Sequence, residues 1–253
     1  MLALITGATS GIGLATARIF AENNIDLILC GRRTERLQEL EKELSTKVKV
    51  TTLSFDVRHK TEVQKAIDSL STEFQNIDIL INNAGNAHGL SPIQEGNLDD
   101  WDIMIDLNIK GLLYVTKALL PHLLNENRSE TNKGQIINIG SIAGIDSYAN
   151  GNVYCATKSA VAMLSETMRI DLLKENMKVS EVKPGLVETE FSMVRFKNDE
   201  ERAEKVYQNY TPLTAKDVAE LIYFVVSRPA HVNIADALIL PTDQAKSALV
   251  HKK

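Results

Sequence analysis

The chain has 253 residues, 44% hydrophobic and 24% charged, enough apolar content to bury the core of a single α/β domain spanning residues 1–253. Its formal net charge of −5 argues against a general nucleic-acid or anionic-membrane surface, since either needs clustered cations to meet phosphate. No stretch approaches the ~20 consecutive apolar residues of a membrane span. Cys30 and Cys155 have neither a C-x-x-C nor a zinc-ligand spacing, so no metal is expected. Met1 leads directly into a strand-like run without a basic flank and cleavage site, so export is not expected and a reducing cytoplasm is.

Residues 2–24 read as an apolar strand, a glycine-rich turn and a helix with Ile12, Ala15 and Ile19 on one face. Gly7, Gly11 and Gly13 form T-G-x-x-x-G-x-G, where a missing Cβ permits both positive φ and close approach of backbone to a ligand. Amides at a helix start attract anions, so strand, turn and helix in this order predict a dinucleotide pyrophosphate site rather than a plain connection. The strand Ile25 to Cys30 ends in Gly31-Arg32-Arg33, ahead of a helix patterned Leu37, Leu40, Leu44. An acid at this strand end suits the ribose of NAD, whereas arginine suits the 2′-phosphate of NADP; two arginines without an acid predict NADP. The alternative is that both arginines decorate the helix start, where the dipole disfavours them.

The run VKVTTLSFDV is a third strand ending at Asp56-Val57, beside an adenine ring or with Asp56 as a cap. A helix through Val63, Ile67, Leu70 and Phe74 follows, and then a fourth strand, Ile77 to Ile81, ends in Asn82-Asn83-Ala84-Gly85. A helix is expected from Asp100 to Leu124, although Asn108 and Gly111 inside it lower helix propensity. A buried Asn108 must bond backbone or water, and so bend the helix. Asn125 to Lys133 reads as a loop and Gly134 to Gly140 as the fifth strand. Lys178 to Val182 is a sixth strand running into Pro184-Gly185; residues 186–212 form a less regular substrate-side region, with charges at Lys197 to Lys205 on a solvated face. Ala215 to Val226 is a helix, Ala237 to Leu240 a short last strand, and residues 242–253 a tail. This alternation predicts a Rossmann-type doubly wound parallel sheet of about seven strands, helices on both faces, with the site at the strands' C-terminal edge.

Between the fifth and sixth strands lies SIAGIDSYANGNVYCATKSA, with Tyr154 and Lys158 four residues apart at a helix start. Residues i and i+4 share a helix face, so phenol and ammonium reach one cavity. The cation favours the phenolate, which brings tyrosine toward general acid/base work. Ser141 supplies a hydroxyl beside the phenol. An isolated Tyr-x-x-x-Lys also arises by chance; the other motifs decide its meaning.

TGATSGIG at residues 6–13, NNAG at 82–85, Asn108, Ser141, YCATK at 154–158, and PG at 184–185 with Thr189, all in order, resemble the short-chain dehydrogenase/reductase family over essentially the whole length. Within it, GRRTERLQEL, GNVYCATK, SMVRFKNDE, EKVYQN and PAHVNI are similar to NADP-dependent 3-hydroxy acid dehydrogenases that oxidise serine and L-allo-threonine. The resemblance implies a tetrad of Asn108, Ser141, Tyr154 and Lys158: Ser141 and Tyr154 bind the substrate oxygen, Tyr154 exchanges its proton, Lys158 bonds the nicotinamide ribose, and Asn108 holds a water leading to solvent. It implies Gly7, Thr9, Ser10, Gly11, Ile12 and Gly13 at the pyrophosphate and Arg32 and Arg33 at the 2′-phosphate. Asp56 and Val57 would sit by adenine, Asn83 by ribose, Ala84 and Gly85 elsewhere along the cofactor, and Pro184, Gly185, Val187 and Thr189 by nicotinamide. It further implies a homotetramer paired through the long helices, with a small molecule as the partner in chemistry.

Arg195 is a candidate for binding a substrate carboxylate, or else pairs with a nearby acid. His88 either touches substrate or is a structural histidine. Alternatives to the hydroxy acid reaction are reduction of carbonyls, including 3-oxoacyl thioesters on an acyl carrier protein, and an NADPH-binding sensor without turnover. A dense basic docking patch for a carrier is not visible in the sequence, and a sensor has no need of a proton-transfer pair.

Overall fold

The computed structural model describes residues 1–124 and 134–253; the loop expected at Asn125 to Lys133 lies outside them. Seven strands build the main sheet: β1 (Leu2–Thr6), β2 (Asp26–Gly31), β3 (Val50–Ser54), β4 (Ile79–Asn82), β5 (Gln135–Ile139), β6 (Lys178–Pro184) and β9 (Asp236–Ile239). Their order is β3-β2-β1-β4-β5-β6-β9, and every neighbouring pair is parallel. The central strands are continuous apolar runs because both faces are covered: all five residues of β1 are buried. One face packs against α1 (Gly11–Glu22), α2 (Thr34–Leu44) and α9 (Ala215–Val226), through Phe20, Leu40 and Ile222. The other carries α3 (Lys60–Asp68), α5 (Leu112–Leu123) and α6 (Asn152–Asp171), with Ile67, Leu119 and Met168 against the sheet. Strand order reverses between β1 and β4, opening a crevice at their C-terminal ends.

Three expectations are corrected. The single helix from Asp100 to Leu124 is α4 (Leu98–Ile105), a π-helical turn at Asp106–Gly111, and then α5. The wider turn carries buried Asn108 at its centre. The helix through Leu70 and Phe74 stops at Asp68; both side chains still reach the core, Phe74 from the following 3₁₀ turn Thr72–Phe74. The irregular region 186–212 is more ordered than its sequence suggests. It holds β7 (Val187–Glu188), which pairs with β8 (Leu213–Thr214), and two short helices, α7 (Phe191–Arg195) and α8 (Glu200–Lys205).

Side chains lock the C-terminal ends of the strands together. Thr6 Oγ1 accepts from the amides of Asn83 and Ala84, both at 3.0 Å, and Asn83 Nδ2 donates to the carbonyls of Thr6 and Gly7. Asn82 donates to Asn138 on β5 and Thr116 on α5, and Asn138 donates to Ser165 on α6. These bonds fix the crevice floor from inside. Among the described residues no helix is long and apolar enough to cross a membrane. Thr6→Val, nearly isosteric, leaves two amides without their acceptor and is expected to destabilise the fold by about 2–4 kcal/mol, read as a lower urea midpoint at unchanged slope.

Candidate active site

The glycine turn between β1 and α1 opens the site. Gly7 has φ +65°, the left-handed region, and a Cβ on Gly13 would stand 2.4 Å from the Gly7 carbonyl oxygen, so α1 can approach β1 this closely only without one. Ser10, Gly11 and Ile12 at the start of α1 line the crevice, and a helix N-terminus placed there suits a pyrophosphate. A cavity of about 530 Å³ runs from this turn to Tyr154 and Lys158, passing Arg32, Arg33, Asp56, Val57, Asn83 and Gly85 on the way and Pro184, Gly185, Val187 and Thr189 across it. The residues expected to hold a dinucleotide line this one crevice, except Gly13, which packs against the Gly7 carbonyl behind it.

The two arginines are not equivalent. Arg33 donates to Thr9 Oγ1 from Nε at 3.0 Å and from Nη2 at 2.9 Å, and its Nη1 meets Glu190 at 2.8 Å. Glu190 also accepts from Arg36 at 2.7 Å, so a carboxylate from the substrate-side region already stands at the arginine cluster. Arg32 is largely exposed, with Asp56 at 3.5 Å. Burial alone would raise the Asp56 carboxyl, but bonds from the Arg58 side chain and backbone, with the charges of Arg58 and Arg32, hold it down at about 2. Asp56 therefore stands as an anion at the rim.

Tyr154 and Lys158 lie on one face of α6, both buried. Lys158 Nζ donates to the Ile139 carbonyl at 2.8 Å and lies 6.0 Å from the Tyr154 ring centre. Burial and the neighbouring Tyr148 push the Tyr154 phenol well above its ordinary value, while the Ser141 hydroxyl and the Arg195 charge pull it back. Burial lowers Lys158 to about 8, opposed by Glu181. Cys155 is a small buried residue packed with Ala87, Met104, Ala143 and Tyr154, as its apolar setting predicts.

The Asn108 side chain is fully engaged. Its Oδ1 accepts from the Asn86 amide at 2.9 Å, and its Nδ2 donates to the Asn86 carbonyl at 2.8 Å and Thr157 Oγ1 at 3.0 Å. It thus ties the loop after β4 to the helix of Tyr154 and Lys158. This is the physical reason for a polar residue in the buried π-helical turn.

Arg195 reaches the same wall. Its Nη2 donates to Tyr148 Oη at 2.7 Å and its Nε to the Gly89 carbonyl at 3.2 Å, with the guanidinium 5.6 Å from the Tyr154 ring centre. Those bonds take two of five N–H donors. His88 is outside the cavity lining; burial lowers its pKa, opposed by Asp100. Tyr148, Gln244 and Ser247 were not singled out in the sequence, and Glu190 and Phe191 only as part of the substrate-side region 186–212; all five line the cavity. Two of them come from the tail: Gln244 accepts from the Leu186 amide at 2.8 Å, and the Ser247 amide donates to Asp146 at 2.6 Å, folding residues 242–253 onto the substrate side.

The short chain dehydrogenase family model matches residues 1–200. The chain belongs to that family. It is 46% identical to the NADP-dependent 3-hydroxy acid dehydrogenase YdfG of Salmonella typhi over 254 aligned positions, covering 100% of both chains. It is 47% identical to sulfoacetaldehyde reductase 2 of Chromohalobacter salexigens over 248 positions, covering 98% of this chain and 96% of that one. Among solved structures it is similar to the closed form of serine dehydrogenase complexed with NADP+, with a TM-score of 0.92 and 45% identity over the full length of both chains. The sheet, its strand order and the crevice are thus those of a short-chain dehydrogenase.

Proposed function

We propose that the protein is an NADP-dependent oxidoreductase that interconverts a small 3-hydroxy acid, such as serine or L-allo-threonine, and its 3-oxo acid. The observation that carries this reading is one cavity wall holding Ser141, Tyr154, Lys158 and Arg195, with the guanidinium 5.6 Å from the phenol ring. A hydroxyl carbon and an acid group a few bonds apart match that spacing.

The cavity fits the cofactor on its own geometry: a Cβ-free turn and helix amides suit a pyrophosphate, and Arg32 with Arg33 suits a 2′-phosphate. NADP, when bound, supplies the carbon that takes or returns the hydride. The chain's residues handle the proton and the substrate. Ser141 and Tyr154 hydrogen-bond the substrate oxygen, Tyr154 takes the hydroxyl proton in oxidation and returns it in reduction, and the Lys158 ammonium stabilises the phenolate between these steps. Arg195 binds the carboxylate bidentately and sets which carbon faces the cofactor. A buried phenol with a raised pKa is a proton donor at neutral pH, so the same wall also supports reduction of a carbonyl.

A second reading, reduction of a short aldehyde carrying a sulfonate, draws on the 47% identical sulfoacetaldehyde reductase, because a guanidinium accepts a sulfonate as readily as a carboxylate. Exposed apolar residues on the outer helices, Leu113 on α5 with Met163 and Ile170 on α6, support pairing of subunits into a homotetramer. The cytoplasm, where NADP and small hydroxy acids are both present, is the proposed location.

Purified protein with NADP or NAD is tested against serine, L-allo-threonine and other 3-hydroxy acids, and in reverse with NADPH and sulfoacetaldehyde, following absorbance of the reduced nicotinamide. The expected result is NADPH formation from 3-hydroxy acids and its loss by at least about a thousandfold in Tyr154→Phe; activity confined to the sulfonated aldehyde would move the assignment to the second reading. Arg195→Ala is expected to raise KM for hydroxy acids by about 10- to 100-fold while changing KM for neutral alcohols little. Equal effects on both would remove Arg195 from carboxylate binding.

A further inference from the structure

Strand β6 carries two charges into the interior. Alternate residues share a strand face, and Val179 packs with Met168 and Leu172 on the α6 side, so Glu181 and Lys183 face that side too. Both are buried. Lys183 Nζ lies 3.2 Å from Glu181 Oε2 and pairs as well with Asp236 on edge strand β9. One cation between two carboxylates leaves a surplus negative charge. The second Glu181 oxygen, Oε1, is buried and has no hydrogen-bond partner. It stands beneath Gly140, where a Cβ would come within 2.0 Å of it, so only glycine leaves room for the carboxylate there. Gly140 lies between Ile139, whose carbonyl holds Lys158, and Ser141. The unpartnered carboxylate oxygen and the buried ammonium therefore meet the same end of β5.

We infer that Glu181 is the buried counter-ion of Lys158, a positioning residue that keeps the ammonium charged behind Tyr154. The inference rests on the reading of Tyr154 and Lys158 as the proton-transfer pair. A buried ammonium held only by a carbonyl tends to give up its proton, and a nearby fixed anion is the ordinary remedy. Burial pushes the Glu181 carboxyl up and Asp236 on β9 adds to it, while Lys183 from its own strand and Lys158 from α6 pull it back toward the anion. Tyr154 is faced by Tyr148, Arg195 and Cys155, and the Lys158 ammonium lies 6.0 Å from its ring centre. Glu181 Oε1 stands at Gly140, next to the Ile139 carbonyl that holds Lys158, so loss of Glu181 acts first on the lysine.

The sign follows from that separation. Oxidation needs the phenolate together with the ammonium. At low pH both groups are protonated and the active fraction depends on the phenol alone, whatever the lysine's pKa. As pH rises, a lysine without its counter-ion loses its proton first, and the active form is drained into neutral phenol with neutral amine. The Glu181→Gln enzyme is therefore expected to match wild type in kcat/KM near about pH 6.5 and to fall about tenfold below it near about pH 9. Glu181→Asp, which keeps the charge, should recover most of the alkaline rate. Asp236→Asn tests the triad as a plain staple for the edge strand. In parallel, ¹³C-lysine NMR of the protein without substrate, with Lys158 assigned by Lys158→Met, should show an inflection that begins near about 8 and moves lower in Glu181→Gln.

A loss of the same factor at every pH, shared by Glu181→Gln and Asp236→Asn, with an unmoved lysine inflection, would overturn the inference and leave Glu181 a structural residue. Wild-type turnover that survives Tyr154→Phe would instead remove the proton-transfer reading on which it rests.

Discussion

The site depends on burying a phenol and an ammonium in the same wall. Desolvation penalises the charged form of each, pushing Tyr154 up and Lys158 down to about 8, so the two drift toward a neutral pair that cannot take a proton from a hydroxyl. Tyr148 adds to that drift, and four other neighbours oppose it. The Ser141 hydroxyl and the Arg195 charge act on the phenol, while the Ile139 carbonyl at 2.8 Å and the carboxylate of Glu181 act on the lysine. Low dielectric makes each of these contacts worth more than it would be in water, and their geometry correspondingly matters more.

That geometry is inherited from the sheet. Ile139 and Ser141 come from the end of β5, Glu181 from β6, and the tyrosine and lysine from the helix that crosses between those strands. Threonine and asparagine side chains at the strand ends remove freedom from the floor, and Asn108 fastens the loop after β4 to α6. The substrate-side region reaches both ends of the cavity from farther along the chain, with Glu190 on Arg33 and Arg195 on Tyr148. A contact between the arginine cluster and the substrate-side helix α7 links the two halves of one cavity.

The strand and helix order was legible because buried parallel strands and amphipathic helices leave different periodicities, and the glycine turn between β1 and α1 has a spacing that physical constraint explains. Ala215–Val226 carries a capping box, Thr214 with Asp217, and its bounds read directly from the chain. The tetrad proposed here rests on family resemblance, since Tyr154 and Lys158 alone are an ordinary helical pair. The π-helical turn was not legible: Asn108 and Gly111 weaken an α-helix, but nothing local says whether the chain bends, breaks or widens there. Glu190 and Gln244 were missed because their partners lie far along the chain, Arg33 being 157 residues before Glu190. Glu181 sits in VSEVKPG, whose mixed polarity suggests a half-exposed strand; its burial is set by α6 on one side and β9 at the edge, which no local pattern encodes.

The central claim is direct transfer of hydrogen from the hydroxyl-bearing carbon of a small acid to a nicotinamide held in this crevice. Serine deuterated at the hydroxyl carbon, incubated with the protein and NADP, tests it through the mass of the NADPH formed. The account predicts that the NADPH carries one deuteron, and that the label fails to appear in Tyr154→Phe. NADPH formed without deuterium would contradict it, because the hydrogen would then have come from solvent or another carbon.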